Sequence, residues 1–165
     1  MLIYHPAFDM HHCIFRMLQL LIKLKNEPHD IEKLRILDFY LLFPQELDQV
    51  RFPRGMKGYQ KGSHQNYEKI ENPYRVFSRL EQFHLNALKC LAAYNLVDPF
   101  LLPLGKVQRT KQEIPNNLLK LLEAANSRCS REIDFLTGPF GDIDLYGKSG
   151  LKERTRLLEF KYDPS

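Results

Sequence analysis

The stretch that most constrains this chain is Ile31 to Pro44, IEKLRILDFYLLFP. Ile31, Leu34, Leu37 and Leu41 recur at helical spacing, and Ile36 and Tyr40 widen the stripe into a broad apolar face. Asp30, just ahead of it, offers a side-chain oxygen to the free backbone N–H groups of a first turn. Pro44 ends the helix, because proline disfavours helical geometry in the residue before it. Towards Phe39–Phe43 the segment is apolar on nearly every side. A helix of that kind needs cover from several other elements, which predicts an α-rich core with this helix at its centre.

A chain of 165 residues holds one domain, or one domain with a small appendage. Its hydrophobic fraction of 44% and 11 Phe suffice for a real core. With a mean hydropathy of -0.40 and no apolar run near about 18 residues, a membrane span is not expected. The opening MLIYHPAFDMHH has neither a basic n-region nor a continuous apolar stretch, so no signal peptide is expected. Cys13, Cys90 and Cys129 are too widely spaced for a disulfide framework and suit thiols in a reducing cytoplasm. The net charge is +4. Arg51, Arg54, Lys57 and Lys61 fall in the acid-free segment Arg51–Gly62, so the remainder of the chain is balanced. An anionic partner is expected to meet the protein there.

In chain order, residues 6–25 predict a first helix, with Pro6 suited to its first turn and Lys23 and Lys25 to its C-terminal end. Asn26–Pro28 breaks the chain before the central helix, and a short helix through Glu46–Val50 follows it. Residues 52–72 have little apolar periodicity and carry Gly55, Gly58 and Gly62, which predicts a long mobile loop. Asn72–Pro73 makes a cap and first-turn pair for a long helix marked by Phe77, Leu80, His84, Leu88 and Leu91. A break near Gln82 or Phe83 would divide that helix in two. Two extended runs around Pro103–Gly105 predict a β-hairpin, and helix, helix, hairpin is the order of a winged helix. Further helices are expected from Pro115 and over Ser130–Thr137, and a last strand over Leu157–Tyr162. The expected fold is mainly α with a small β component. A winged-helix-like core spans 1–112, with a basic loop at 51–72, and C-terminal helices and a strand over 113–165 pack on it.

The sharpest catalytic pattern lies near the C-terminus. Asp142 and Asp144, followed by Glu159-Phe160-Lys161, resemble the acid…(D/E)-x-K arrangement of metal-dependent nucleases, in which carboxylates hold Mg²⁺ and a lysine orients water. Glu159 and Lys161 would share one side of a strand, but only Tyr162–Ser165 follow, which is little on which to build that fold. The plainer alternative is a solvated Glu–Lys pair beside two turn aspartates. His5, His11, His12 and Cys13 suggest a metal cluster, yet neighbours on a helix diverge by about 100°, and no second ligand pair has metal spacing. His84 lies in an apolar stripe, as a hydrogen-bonded core histidine would. With no phosphate loop and no nucleophile elbow, the chain is expected to have no enzymatic activity, cofactor or metal. The remaining candidate is the basic loop, where four cations interleave with Phe52 and Tyr59. Lys106, Arg109 and Lys111 of the wing extend it, for contact with nucleic acid or with a protein partner.

Four blocks, LIYHPAFDMHHCIFRML, KLRILDFYLLFP, ALKCLAAYNLVDPFLLPLGKVQRT and GLKERTRLLEFKYD, resemble in this order the small middle component of bacterial ABC-three-component systems. That group includes the Lamassu antiphage and antiplasmid defences. The resemblance covers nearly the whole chain and contains no catalytic motif. It implies a winged-helix-like accessory subunit that bridges an SMC-type ATPase and an effector, often a nuclease, acting on invading double-stranded DNA. The alternatives are a winged-helix DNA-binding regulator and, more distantly, a nuclease using Asp144, Glu159 and Lys161. The regulator would need a basic recognition helix, and Arg75, Arg79 and Lys89 set against Glu81 make a weak one.

Overall fold

Three helices form the frame: α1 (Met10–Lys23), α2 (Ile31–Leu42) and α3 (Pro73–Ala93). The computed structural model describes residues 5–60 and 70–159. Eight residues of α2, Ile31 and Leu34 to Tyr40, are buried, as the apolar pattern predicts. Leu41 is only half-buried, because the helix emerges from the core in its last turn. The centre is nevertheless shared. α1 packs against α2, α3, α4 (Asn116–Arg128) and α5 (Ser130–Thr137), so it is the hub that the periodicity assigned to α2 alone. Six consecutive residues, Arg16 to Leu21, are buried in it.

The start of α3 follows from local chemistry. The Asn72 side chain accepts a hydrogen bond from the backbone N–H of Arg75, and Pro73 occupies the first turn. The helix then runs unbroken through Gln82 and Phe83. At α2 the expected cap differs. Asp30 makes no capping bond, because its carboxylate takes the Lys106 ammonium at 2.6 Å. The backbone N–H of Ile31 is instead satisfied by the carbonyl of Gly105 at 2.9 Å.

The hairpin expected at Pro103–Gly105 is rearranged. Leu102–Leu104 forms a 3-10 turn, and Gly105, at φ 72, reverses the chain in the left-handed region. The strand that follows, β2 (Lys106–Val107), pairs antiparallel with β1 (His29–Asp30), with His29 opposite Val107 and Asp30 opposite Lys106. Beyond it Val97 bridges Arg109, and Asp98 N–H donates to the Gln108 carbonyl. The order is thus helix, strand, helix, long helix, then a returning strand between two partners.

Residues 52–60 are not an open loop. Phe52 is buried against Phe135 and Phe140. Arg54–Gln60 forms a 3-10 turn, whose Tyr59 ring stacks on Phe135 at 3.7 Å and donates its hydroxyl to the Arg131 carbonyl at 2.8 Å. The aromatic contacts override the glycines there. Of the rest of the expected loop, 61–69 lie outside the described residues, and at its end the backbone N–H of Ile70 donates to Glu46 Oε1 at 3.0 Å. A short helix α6 (Leu151–Thr155) lies near the C-terminus, opened by Gly150, where a Cβ would collide with the Tyr146 carbonyl oxygen. The expected last strand does not form over 157–159, where the backbone is irregular; residues 160–165 lie outside the described set. Among the described residues no helix is long and apolar enough to cross a membrane.

Candidate functional site

Charged residues at apolar positions of α1, α2 and α3 meet where the three helices converge. Arg16 donates to both oxygens of Asp38, Nε to Oδ1 at 2.7 Å and a terminal nitrogen to Oδ2 at 3.1 Å. His84, fully buried, bonds Asp38 Oδ2 through Nε2 at 2.8 Å. Its Nδ1 accepts from Arg35 Nε at 3.2 Å. A guanidinium can only donate, so the proton of the neutral ring sits on Nε2 and is given to Asp38. Arg35 also lies over the Phe77 ring at 4.4 Å and reaches the Phe77 carbonyl.

The electrostatics follow from this closure. Burial alone would raise the Asp38 carboxyl, but the Arg16 charge and the His84 hydrogen bond outweigh it and hold the group at about 2. Cys13 lies beside the network, and burial first, then the Asp38 charge, pushes its thiol up to about 12. One ligand atom each of Cys13, Asp38 and His84 lies within 4.8 Å of the others, a spacing that could hold an ion. The donor set argues otherwise. A metal needs a thiolate and free lone pairs, whereas this thiol keeps its proton and both Asp38 oxygens and both His84 nitrogens are engaged. Two guanidinium groups beside it would also repel a dication. What the arrangement does chemically is lock α1, α2 and α3 together. A second pin, Gln19 to Asn126, with Nε2 donating to Oδ1 at 3.1 Å, holds α4 to α1.

The surface of α3 beside the returning strand is different. Ile31, Leu85, Leu88, Ala92, Pro99 and Leu102 line an open cleft of about 390 Å³. Past Leu85 and Leu102 lies a second cleft of about 380 Å³, which holds Asp30, Glu32, Arg35, Glu81 and Tyr146. Phe100 and Leu104, in and beside the turn, are 83% and 72% exposed.

Of the residues expected to contact a partner, Arg51 and Arg54 are exposed. The Arg51 carbonyl is held by the Arg154 guanidinium. Lys106 is neutralised by Asp30, and Arg109 lines a cleft with Glu123 and Asp134. Of these three cations Lys106 is thus answered within the chain, Arg109 is half-buried and Lys111 is exposed. The Lys57 side chain and Lys61 lie outside the described set, as does Lys161. Asp142 and Asp144 are exposed and border a cleft with His29 and Lys33. Glu159 follows α6 in irregular backbone rather than on a strand. Of the histidines grouped in the sequence, His5 stacks on Phe43, His11 is exposed and His12 sits 3.4 Å from Asp9, while Cys13 points into the core.

Of the buried network, His84 is legible in the sequence as a hydrogen-bonded core histidine, and the structure makes it one; its charged partners went unread, although a signal existed. Asp38 interrupts the apolar run ILDFYLLF, and an acid at a core position requires a cation. The exposed apolar turn was equally visible as FLLPLG, seven residues after the end of a helix.

No curated protein and no solved structure matches the chain. The family model for the ABC-three component (ABC-3C) system Middle Component 5 matches residues 2–163, almost the entire length, and the chain belongs to that family.

Proposed function

We propose that this chain is the non-catalytic accessory subunit of a cytoplasmic defence complex of the Lamassu type, bridging an SMC-type ATPase and a nuclease effector. Membership in the middle-component family supports a place in a multi-component system with protein partners. The observation that carries the non-catalytic part is the closure of Cys13, Asp38 and His84. These groups of reactive type are fully buried, and the carboxylate and imidazole are saturated by Arg16 and Arg35. The order of helices and strands supports a winged-helix-like core for residues 1–112. The turn before β2, however, exposes Phe100 and Leu104, and the nearest cation, Lys106, is paired with Asp30, which favours a protein partner at that face. Double-stranded DNA meets the assembly through the basic segment, where Arg51 and Arg54 are exposed.

Reconstitution with the ATPase and effector subunits of its system tests the reading. The purified chain should leave linear DNA intact in Mg²⁺ or Mn²⁺, and omitting it should separate effector from ATPase. Reversing Arg51, Arg54, Lys57 and Lys61 to Glu should weaken DNA binding by the assembly. It should also flatten the salt dependence, by a slope of about 0.9 for each phosphate no longer neutralised. Metal-dependent cleavage by the chain alone, abolished by Glu159→Ala, would overturn the proposal. So would an ATPase–effector complex that forms equally well without it.

A further inference from the structure

We propose that the groove between α3 and the Leu102–Leu104 turn receives an amphipathic helix of another component of the system. That helix carries a basic residue, an apolar ridge and an acidic residue in order over about two turns. The inference rests on the accessory-subunit reading and names the chemistry of its partner.

The groove is chemically ordered along α3. At one end Glu81 has a side chain 57% exposed, with its Arg35 neighbour 3.9 Å away, at the limit of an ion pair. The other acids of that cleft are more tightly engaged, Asp30 by Lys106 at 2.6 Å and Glu32 by Lys152 at 3.1 Å. Glu81 is therefore the acid with charge to offer. At the other end Lys89 is exposed at the rim of the apolar cleft. Between them on that side of α3 lie Leu85 and Leu88, faced across the groove by Pro99 and Leu102. Eight residues of helix span about 12 Å, slightly more than two turns. A helix laid along the groove answers this order with Lys or Arg opposite Glu81, apolar residues three and four positions on, and Asp or Glu about seven on. Phe100 and Leu104 stand exposed beside the cleft and would fold over such a helix as its apolar lip.

Other ligand classes fit less well. Nucleic acid would bring phosphates against Asp30, Glu32 and Glu81. A small molecule would find no convergent polar groups in the apolar cleft, whose one charged lining residue is Lys89 at the rim. A protein helix uses both halves at once.

Two variants of the full chain, each altered only at exposed positions, test this against the ATPase and effector subunits of its system. One is Glu81→Lys with Lys89→Glu; the other is Phe100→Ser with Leu104→Ser. Each should weaken binding to one of the two subunits by at least about tenfold, with the circular dichroism of the folded chain unchanged. A photo-crosslinker at Leu104 should mark a helix of that subunit with the stated order. Reversing its basic and acidic residues should restore binding to the doubly reversed chain and weaken binding to the unaltered one. If the unaltered chain assembles and both variants bind within about twofold of it, the groove proposal is overturned while the accessory role stands. If the unaltered chain binds neither subunit, the accessory reading itself fails. If the chain instead self-associates and the variants dissociate it, the occupant is a second copy and the proposal is wrong.

Discussion

On one face of α3, His84 is fully buried between Asp38 and Arg35. On another, Leu85 and Lys89 border an open cleft, with Phe100 and Leu104 exposed beside it. Each region inverts the usual distribution, with charge inside and apolar surface outside. The two inversions differ in completeness. Inside, both oxygens of Asp38 and both ring nitrogens of His84 are engaged within the chain and shut away from solvent, so the network fixes helix positions rather than meeting a ligand. Outside, the apolar side chains and Glu81 have part of their binding capacity left over. Closure separates a structural site from a docking site here. Residue type does not, since ionisable groups occur in both.

The largest effect that would break this comparison comes from Asp38. Replacing it with Ala leaves the Arg16 guanidinium, 8% exposed, without its counter-charge and takes away the acceptor of His84. The expected loss is about 3–5 kcal/mol in chemical denaturation. Replacing both partners together, Arg16→Met with Asp38→Leu, should recover most of that loss, because an apolar pair of similar volume removes the desolvation cost as well as the attraction. A loss of under about 1 kcal/mol for Asp38→Ala would show that water or rearrangement satisfies Arg16, and that the interior site is no more closed than the groove.

How much of this was legible in the sequence depends on the range of the interactions. The boundaries of α2 and α3 follow from short-range signals, Pro44 at the end of one and Asn72–Pro73 at the start of the other. The burial of Leu34, Leu37, Phe77 and Leu80 follows from helical periodicity. The larger failures share one cause, which is pairing over long sequence distances. The run Arg54–Gln60, with its glycines, reads as loop, yet Tyr59 finds Phe135 and Arg131 more than seventy residues away. Asp30 reads as a helix cap, yet Lys106 claims it across β1 and β2. The site divides similarly. FLLPLG and the uneven charge of α3 are printed in the chain, but only the fold sets Leu102 beside Leu85. The hub position of α1 was hidden because α4 and α5, which cover it, lie about a hundred residues downstream.

A second test grades burial within α2. Leu37 has no exposed surface, whereas Leu41, one turn later, is half-buried. Leu37→Ala should cost about 2–5 kcal/mol through reduced burial and the cavity left behind. Leu41→Ala should cost about half as much or less, since part of the site is already in water. Equal losses in thermal or urea unfolding would mean that the end of α2 is as enclosed as its middle. The line between interior and surface would then have to move outward by one turn.

The smallest of these effects sharpens the comparison through pH. Asp38 is held at about 2, below its ordinary value of 3.8, so the folded state favours the carboxylate over the acid. The sign follows from linkage. The unfolded chain takes up a proton near pH 4 while the folded one does not, so the contribution is fully present above about pH 4 and is lost as pH falls through about 2. A shift of that size corresponds to about 2 kcal/mol. Other carboxylates titrate in the same range, so the informative quantity is the stability difference between the unaltered chain and Asp38→Asn. The substitution removes this one titration and leaves the others in place. The difference should narrow by about 2 kcal/mol between pH 5 and pH 2, and the Asp38 carboxyl carbon, followed by NMR, should keep its ionised shift down to about pH 3. A constant difference, together with protonation near pH 4, would mean that Arg16 and His84 do not hold the carboxylate. The interior cluster would then have spare capacity like the groove, and closure could no longer serve as the criterion that separates them.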